Sequence, residues 1–199
     1  MNSFLLLTLL PFSFLTLLWP AQTTPPSARP TPTQTAPGPA KVVAPPVVWS
    51  ATRPLTADDF KARAPFTPQA ALTVADIKAS AGCKDYVFAG GVQATFDPNT
   101  SWIRDLKKLT PTLLRHEQLH FDITELYARR LRQKISLTKF DCLKLQPAFD
   151  NLTKPVYRAW ATEENRYDGE TNQGLNAAKQ TLWEQQIKEK LAALQAFAE

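Results

Sequence analysis

From Phe4 to Trp19 the chain is almost wholly apolar, and no Lys, Arg, Asp or Glu precedes Arg29. The run is shorter than the roughly 20 residues a membrane-spanning helix needs, and Pro11 interrupts it. It reads as a secretory signal peptide over 1–22, cut near Ala21, with an uncleaved anchor as the alternative. From 23 to 46 the pattern changes to Pro, Thr and Ala, including Pro25, Pro26, Pro45 and Pro46. Such a segment cannot build a core and stays extended, so it reads as a spacer. The periodic patterns of a folded domain occupy 47–199.

Trp49 is the first large core candidate. Thr56 with Asp59 three residues on marks a short helix start. Between Leu72 and Phe96 apolar and polar positions alternate, as at Val92, Ala94 and Phe96, which predicts two or three antiparallel strands. Gly90-Gly91 reads as their hairpin turn. Thr110-Pro111 then signals a helix start. Leu113, His116, His120, Ile123, Tyr127 and Leu131 recur at three or four residues, predicting an unbroken helix to about Ile135. A second helical stretch runs from about Phe140 to Asn165, interrupted at Pro147 and Pro155. Tyr167 to Asn172 reads as a loop, and a last helix runs from about Gly174 to Phe197. The expected fold is α+β, a small antiparallel sheet packed on a helical bundle with the 110–135 helix between them.

Charge adds little. The formal balance is +5, and the densest basic cluster, Arg129, Arg130, Arg132 and Lys134, falls at a helix end where cations complement the dipole. It reads as solvated. No aromatic-basic interleaving of the RNA-binding kind is present, so nucleic acid is not an expected partner. The two cysteines matter more. Export places them in an oxidising compartment, so a Cys83–Cys142 disulfide is the default, stabilising the fold by about 2–4 kcal/mol. The expected location is periplasmic or secreted, with membrane contact only through an uncleaved leader.

The chemistry sits in the long helix. His116-Glu117-Gln118-Leu119-His120 puts two imidazoles one turn apart on one face. Each can send a nitrogen to one zinc ion at about 2.0–2.1 Å. Glu117 can reach a water at that ion without being a ligand, which is why this spacing marks metalloproteases. The chain has two histidines and both are used. Chance gives such an array on the order of once in two thousand such sequences, which favours a site over ordinary helix histidines. A catalytic zinc needs a third protein ligand. With no third His, the carboxylates are Asp122, Glu125, Glu163, Glu164, Asp168 and Glu170. Asp122 and Glu125 point away from the His face, and Glu125 reads as a partner of Arg129. The other four stay open.

His116 to Ile123 followed by Glu125 to Arg129 resembles the central motif of the bacterial predicted secreted zinc-dependent proteases, a group also catalogued as a domain of unknown function. Trp49 with Leu55 to Phe60, Phe96-Asp97-Pro98, Ser101-Trp102, Tyr167 to Thr171, Gln180, Trp183 and Ile187 resemble its flanking parts. The resemblance spans about 47–191. It implies a zincin-like fold and a zincin-like metallopeptidase domain over 47–199. In that family Tyr-Asp-x-Glu-Thr is followed by x-His-Gly, whereas here the residues are Asn172-Gln173-Gly174. Gln173 thus replaces a potential ligand by an amide, which leaves Glu170 or Asp168 to complete the site. Glu170 is taken as the third ligand.

The expected function is a zinc-dependent peptide-bond hydrolase acting on a peptide or protein in the cell envelope. His116, His120 and Glu170 would hold Zn2+ and Glu117 would serve as the base. The alternative is a non-catalytic envelope protein with a degenerate metal site on the same scaffold. Tyr167 is a potential oxyanion donor, but a hydrogen-bonded core Tyr is the simpler reading.

Overall fold

The computed structural model describes residues 43–199. The expected leader and all but the last four residues of the expected linker lie outside them. The described elements are β1 (Val47–Val48), β2 (Ala71–Leu72), β3 (Ala75–Lys84), β4 (Val87–Phe96), β5 (Trp102–Ile103), α1 (Pro111–Ser136), α2 (Leu145–Thr171) and α3 (Ala177–Ala193). One antiparallel sheet has the order β1-β4-β3, and β2 pairs antiparallel with β5. With three helices packed around them, this is the expected α+β class. No helix among the described residues is long and apolar enough to cross a membrane.

The β3–β4 hairpin differs from expectation in its turn. The ladder runs unbroken from Ala75↔Phe96 to Lys84↔Val87, so Asp85 and Tyr86 form the turn. Both are left-handed, with φ of 51° and 62°. Gly90 and Gly91 lie inside β4. A Cβ on Gly90 would stand 2.6 Å from the Ser80 carbonyl oxygen and 2.7 Å from the Phe88 ring. Glycine is there because an aromatic side chain folds over the strand, a close approach that mimics a turn signal in sequence. The inward positions Ile77, Val92, Ala94 and Phe96 are buried, as the alternation requires.

Helix α1 is the central element. Thr110 caps it, its hydroxyl accepting from the Leu113 amide at 3.1 Å, and Pro111 follows at the first helical position. The sheet, α2 and α3 pack around α1. Leu119, Phe121, Ile123, Leu126 and Leu131 are therefore all buried. Each such side chain contributes about 1.5–3 kcal/mol, so the helix carrying the histidines is the least free to move.

Helix α2 is longer than the sequence suggests. Pro147 falls in its first turn, where amide groups lack helical partners anyway. Pro155 lies in the interior and removes a hydrogen bond, at about 3 kcal/mol or more. Burial of Phe149, Val156 and Tyr167 holds the helix through it to Thr171. The expected loop at 167–172 is thus mostly helix, and Asn172 ends it in the left-handed conformation.

The disulfide is formed between Cys83 and Cys142, with Cα atoms 6.0 Å apart. It ties the end of β3 to the α1–α2 connection and fits an oxidising, extracytoplasmic compartment. The basic cluster needs a correction. Arg129 is buried and Arg132 is nearly so. Only Arg130 and Lys134 of the four suit a solvated helix end, Arg130 lying over the Tyr127 ring.

Candidate metal centre

Four residues of separation on α1 bring the two imidazoles together. His116 Nε2 and His120 Nε2 stand 3.3 Å apart. Helix α2 crosses above them and delivers Asp168, whose Oδ1 is 3.2 Å from His116 Nε2 and 3.1 Å from His120 Nε2. Three donors form a nearly equilateral triangle. Ligands at about 2.0–2.1 Å on a tetrahedral ion stand about 3.3–3.4 Å apart. The donor set and its spacing therefore fit a zinc ion, with a fourth position left open.

The ring nitrogens facing away from the triangle are both engaged. His116 Nδ1 lies 3.3 Å from Gln180 Oε1, and His120 Nδ1 is hydrogen-bonded to Glu164 Oε2. Donation from Nδ1–H to these oxygens fixes the tautomer and leaves both Nε2 lone pairs for a metal. Glu164 is itself held, its other oxygen accepting from Trp160 Nε1 at 2.9 Å. Tyr167 is wholly buried and stacks on His116 with ring centroids 4.7 Å apart. Its hydroxyl donates to Gln180 Oε1 at 2.8 Å. It is a core residue that steadies His116, and it does not face the cleft.

Without a cation the site holds a proton. Burial works against a charged His120, but hydrogen bonds and charge from Asp168 and Glu164 outweigh it and hold the group at about 10. Burial likewise pushes Asp168 up. The two histidines overcome this and hold it well below the carboxylate range. A metal ion must displace that proton, so affinity falls as pH falls.

Glu117 is 3% exposed and lines the same cleft, of about 360 Å³. Burial pushes its carboxyl up, opposed by the two histidines and by Thr73. Leu72, Thr73, Leu113, Trp160 and Leu175 line the cleft as well. Gln173 also lines the cleft, in the left-handed conformation at φ 53°. Gly174 follows at φ +81°, where a Cβ would stand 2.9 Å from the His116 ring. Only glycine fits between this loop and the imidazole.

The other carboxylates are elsewhere. Glu170, expected as the third ligand, accepts from Trp183 Nε1 at 3.0 Å and stays outside the triangle. The reason is the extra helix: two positions on from Asp168 is about 200° around the axis. Glu163 pairs with Lys190 and Arg166. Glu125 is buried between Arg129 and Arg132. Asp122 faces a second cleft and accepts from Trp49 Nε1 at 2.7 Å and Gln118 Nε2 at 2.8 Å.

Burial raises the Asp122 carboxyl above its ordinary range, the two donors opposing. The folded chain therefore binds this proton more tightly than the unfolded chain, and stability from this group is lost as pH rises past the ordinary Asp value. Asp122→Asn keeps an acceptor for both donors and removes the charge. Its thermal unfolding at pH 7 is expected to match wild type or gain up to about 1 kcal/mol. A loss above that would mean the charge itself is needed.

Residues 91–174 match the profile of a family described as "Bacterial protein of unknown function (DUF922)". The match is shorter than the 47–191 read from the motifs. It runs from β4 through α1 and α2 to Gly174 and contains all three donors. No curated protein and no solved structure matches the chain.

Proposed function

We propose that the chain is a zinc-dependent peptide hydrolase. The single observation behind this is the triangle of His116, His120 and Asp168 with its open side turned to the cleft that Glu117 lines. A zinc ion held by those three residues would lower the pKa of water towards about 7 and polarise a carbonyl oxygen. Asp168 and the two histidines would hold the ion, and Glu164 and Gln180 hold the histidines. Glu117 takes a proton from the attacking water and delivers it to the leaving amine. Its carboxyl is buried, and burial pushes it up, which favours holding the proton it takes until the amine leaves. Leu72, Leu113, Trp160 and Leu175 give the cleft an apolar lining. A non-catalytic metal site would not need a buried carboxylate beside the open position, so the hydrolase is the better reading.

The test is metal titration of the purified protein. Wild type is expected to bind near one zinc per chain. Asp168→Ala should weaken binding by about 100-fold or more, removing a ligand being at least as harmful as removing a ligand's support. Glu170→Ala should leave binding unchanged. Failure of wild type to bind zinc, or an equal loss in the two variants, would overturn the assignment.

A further inference from the structure

The end of the molecule formed by the β3–β4 turn and the α1–α2 connection carries side chains that neither the core nor the cleft uses. Tyr86 at the turn is 85% exposed and Val87 beside it 68%. Leu137, just past α1, is 80% exposed and Leu143, next to the disulfide, 84%. The Cys83–Cys142 bond brings the two segments together, and Phe88 stacks on Phe140 with centroids 4.4 Å apart. This apolar end is therefore preformed and would lose little conformational freedom on docking.

Two further features say what it meets. The turn residues Asp85 and Tyr86 both occupy the left-handed region, which Asn-Gly satisfies without strain. A residue with a Cβ costs about 1–2 kcal/mol there, so the turn presents an exposed aromatic ring at a backbone cost. The same end also bears Lys84, Lys134, Lys139 and Lys144, all exposed, against Asp85 and Asp141. Asp141 is occupied as a cap, accepting from the Leu143 amide at 2.9 Å. Lysine ion pairs among the described residues are those of Lys78, Lys154 and Lys190, so these four are unpaired there. Lysine is depleted in protein–protein interfaces. Exposed aromatic and aliphatic side chains together with unpaired lysines are the composition that binds the surface of an anionic bilayer.

We propose that this end docks on an anionic phospholipid surface. Tyr86, Val87, Leu137 and Leu143 enter the headgroup layer, and Lys84, Lys139 and Lys144 meet the phosphates. The contact is peripheral and holds the domain at a membrane face through side chains distant in sequence from the apolar leader.

The experiment is co-sedimentation of the full chain with vesicles of phosphatidylglycerol or phosphatidylcholine at fixed salt. Three proteins are compared: wild type, Tyr86→Ser/Leu143→Ser, and Lys84→Gln/Lys139→Gln/Lys144→Gln. Residues 1–42 are common to all, so differences between the three proteins report the substituted side chains. Wild type is expected to partition about tenfold or more in favour of phosphatidylglycerol. The apolar variant should lose about tenfold or more on those vesicles, and the lysine variant should lose the preference between lipids. All substituted side chains are exposed, so unfolding temperatures should stay within about 2 °C of wild type. Equal wild-type binding to both lipids, or an apolar variant that binds like wild type, would overturn the proposal. The latter outcome would point to a protein partner for this end.

Discussion

Glu117→Gln is expected to lower peptide hydrolysis by about 100- to 10,000-fold, the usual contribution of a positioned acid–base group, while zinc content stays unchanged. The argument rests on where the side chain is. Glu117 neighbours His116 in sequence but is not one of the three donors within reach of a common ion. Gln preserves the volume and one oxygen, so the walls of the cleft need not move. It cannot take a proton from water. Burial already disfavours the charged carboxylate at this position, so the amide should also leave unfolding temperature equal to wild type or slightly higher. Three readouts thus move apart: activity lost, metal kept, stability kept. Activity within a few-fold of wild type would remove Glu117 from the chemistry, and joint loss of metal would make it a structural member of the site.

The parts of this site that sequence revealed are those set by local periodicity. His116, Glu117 and His120 fall on one helix whose cap, Thr110, and first residue, Pro111, are both readable, and a spacing of four fixes their relation before any packing occurs. Asp168 is different. Pro155, Gly169 and Asn172 are all helix-ending signals, so the sequence predicts a loop around it, in which the choice falls on Glu170. Burial of Val156, Glu163, Tyr167 and Thr171 overrides those signals. Once α2 is continuous, Trp160, Glu164 and Asp168 share a face at intervals of four, and Glu170 is turned away. That interval was the available clue. Gln180, which holds His116 from 64 residues away, is marked by no periodicity or spacing, only by its place in the C-terminal segment of the resemblance.

The hairpin illustrates the same limit. Alternation correctly marked Val92, Ala94 and Phe96 as inward positions, because strand geometry enforces a period of two. Gly90-Gly91 reads as the turn in sequence because glycine serves both turns and close approaches. The length of the ladder and the position of the Phe88 ring decide between these, and both are tertiary facts.

The basic cluster at the end of α1 shows what charge patterns conceal, and it gives the second large expectation. Glu125 is 2% exposed. It accepts from Arg129 Nε at 2.8 Å and from Arg132 at 3.1 and 3.3 Å. Arg129 in turn donates to the Leu191 carbonyl at 2.8 Å, and Arg132 to the Val92 and Phe197 carbonyls at 2.8 and 3.0 Å. One buried carboxylate therefore bridges the two guanidinium groups that fasten β4 and the C-terminal segment to α1. Glu125→Ala leaves both cations close together, with only the half-exposed Glu199, 3.6 Å from Arg132, as a counter-charge. Breaking a buried ion pair from one side costs about 3–5 kcal/mol. At about 2–4 °C per kcal/mol for a domain of this size, the unfolding temperature should fall by roughly 6–20 °C. Glu125→Gln keeps an acceptor and should lose less. The C-terminal segment should become the first site of proteolysis in Glu125→Ala, because its attachment runs through the same two arginines. A fall below about 1 kcal/mol would show that water reaches the guanidinium groups and that the clamp is no more than a surface ion pair.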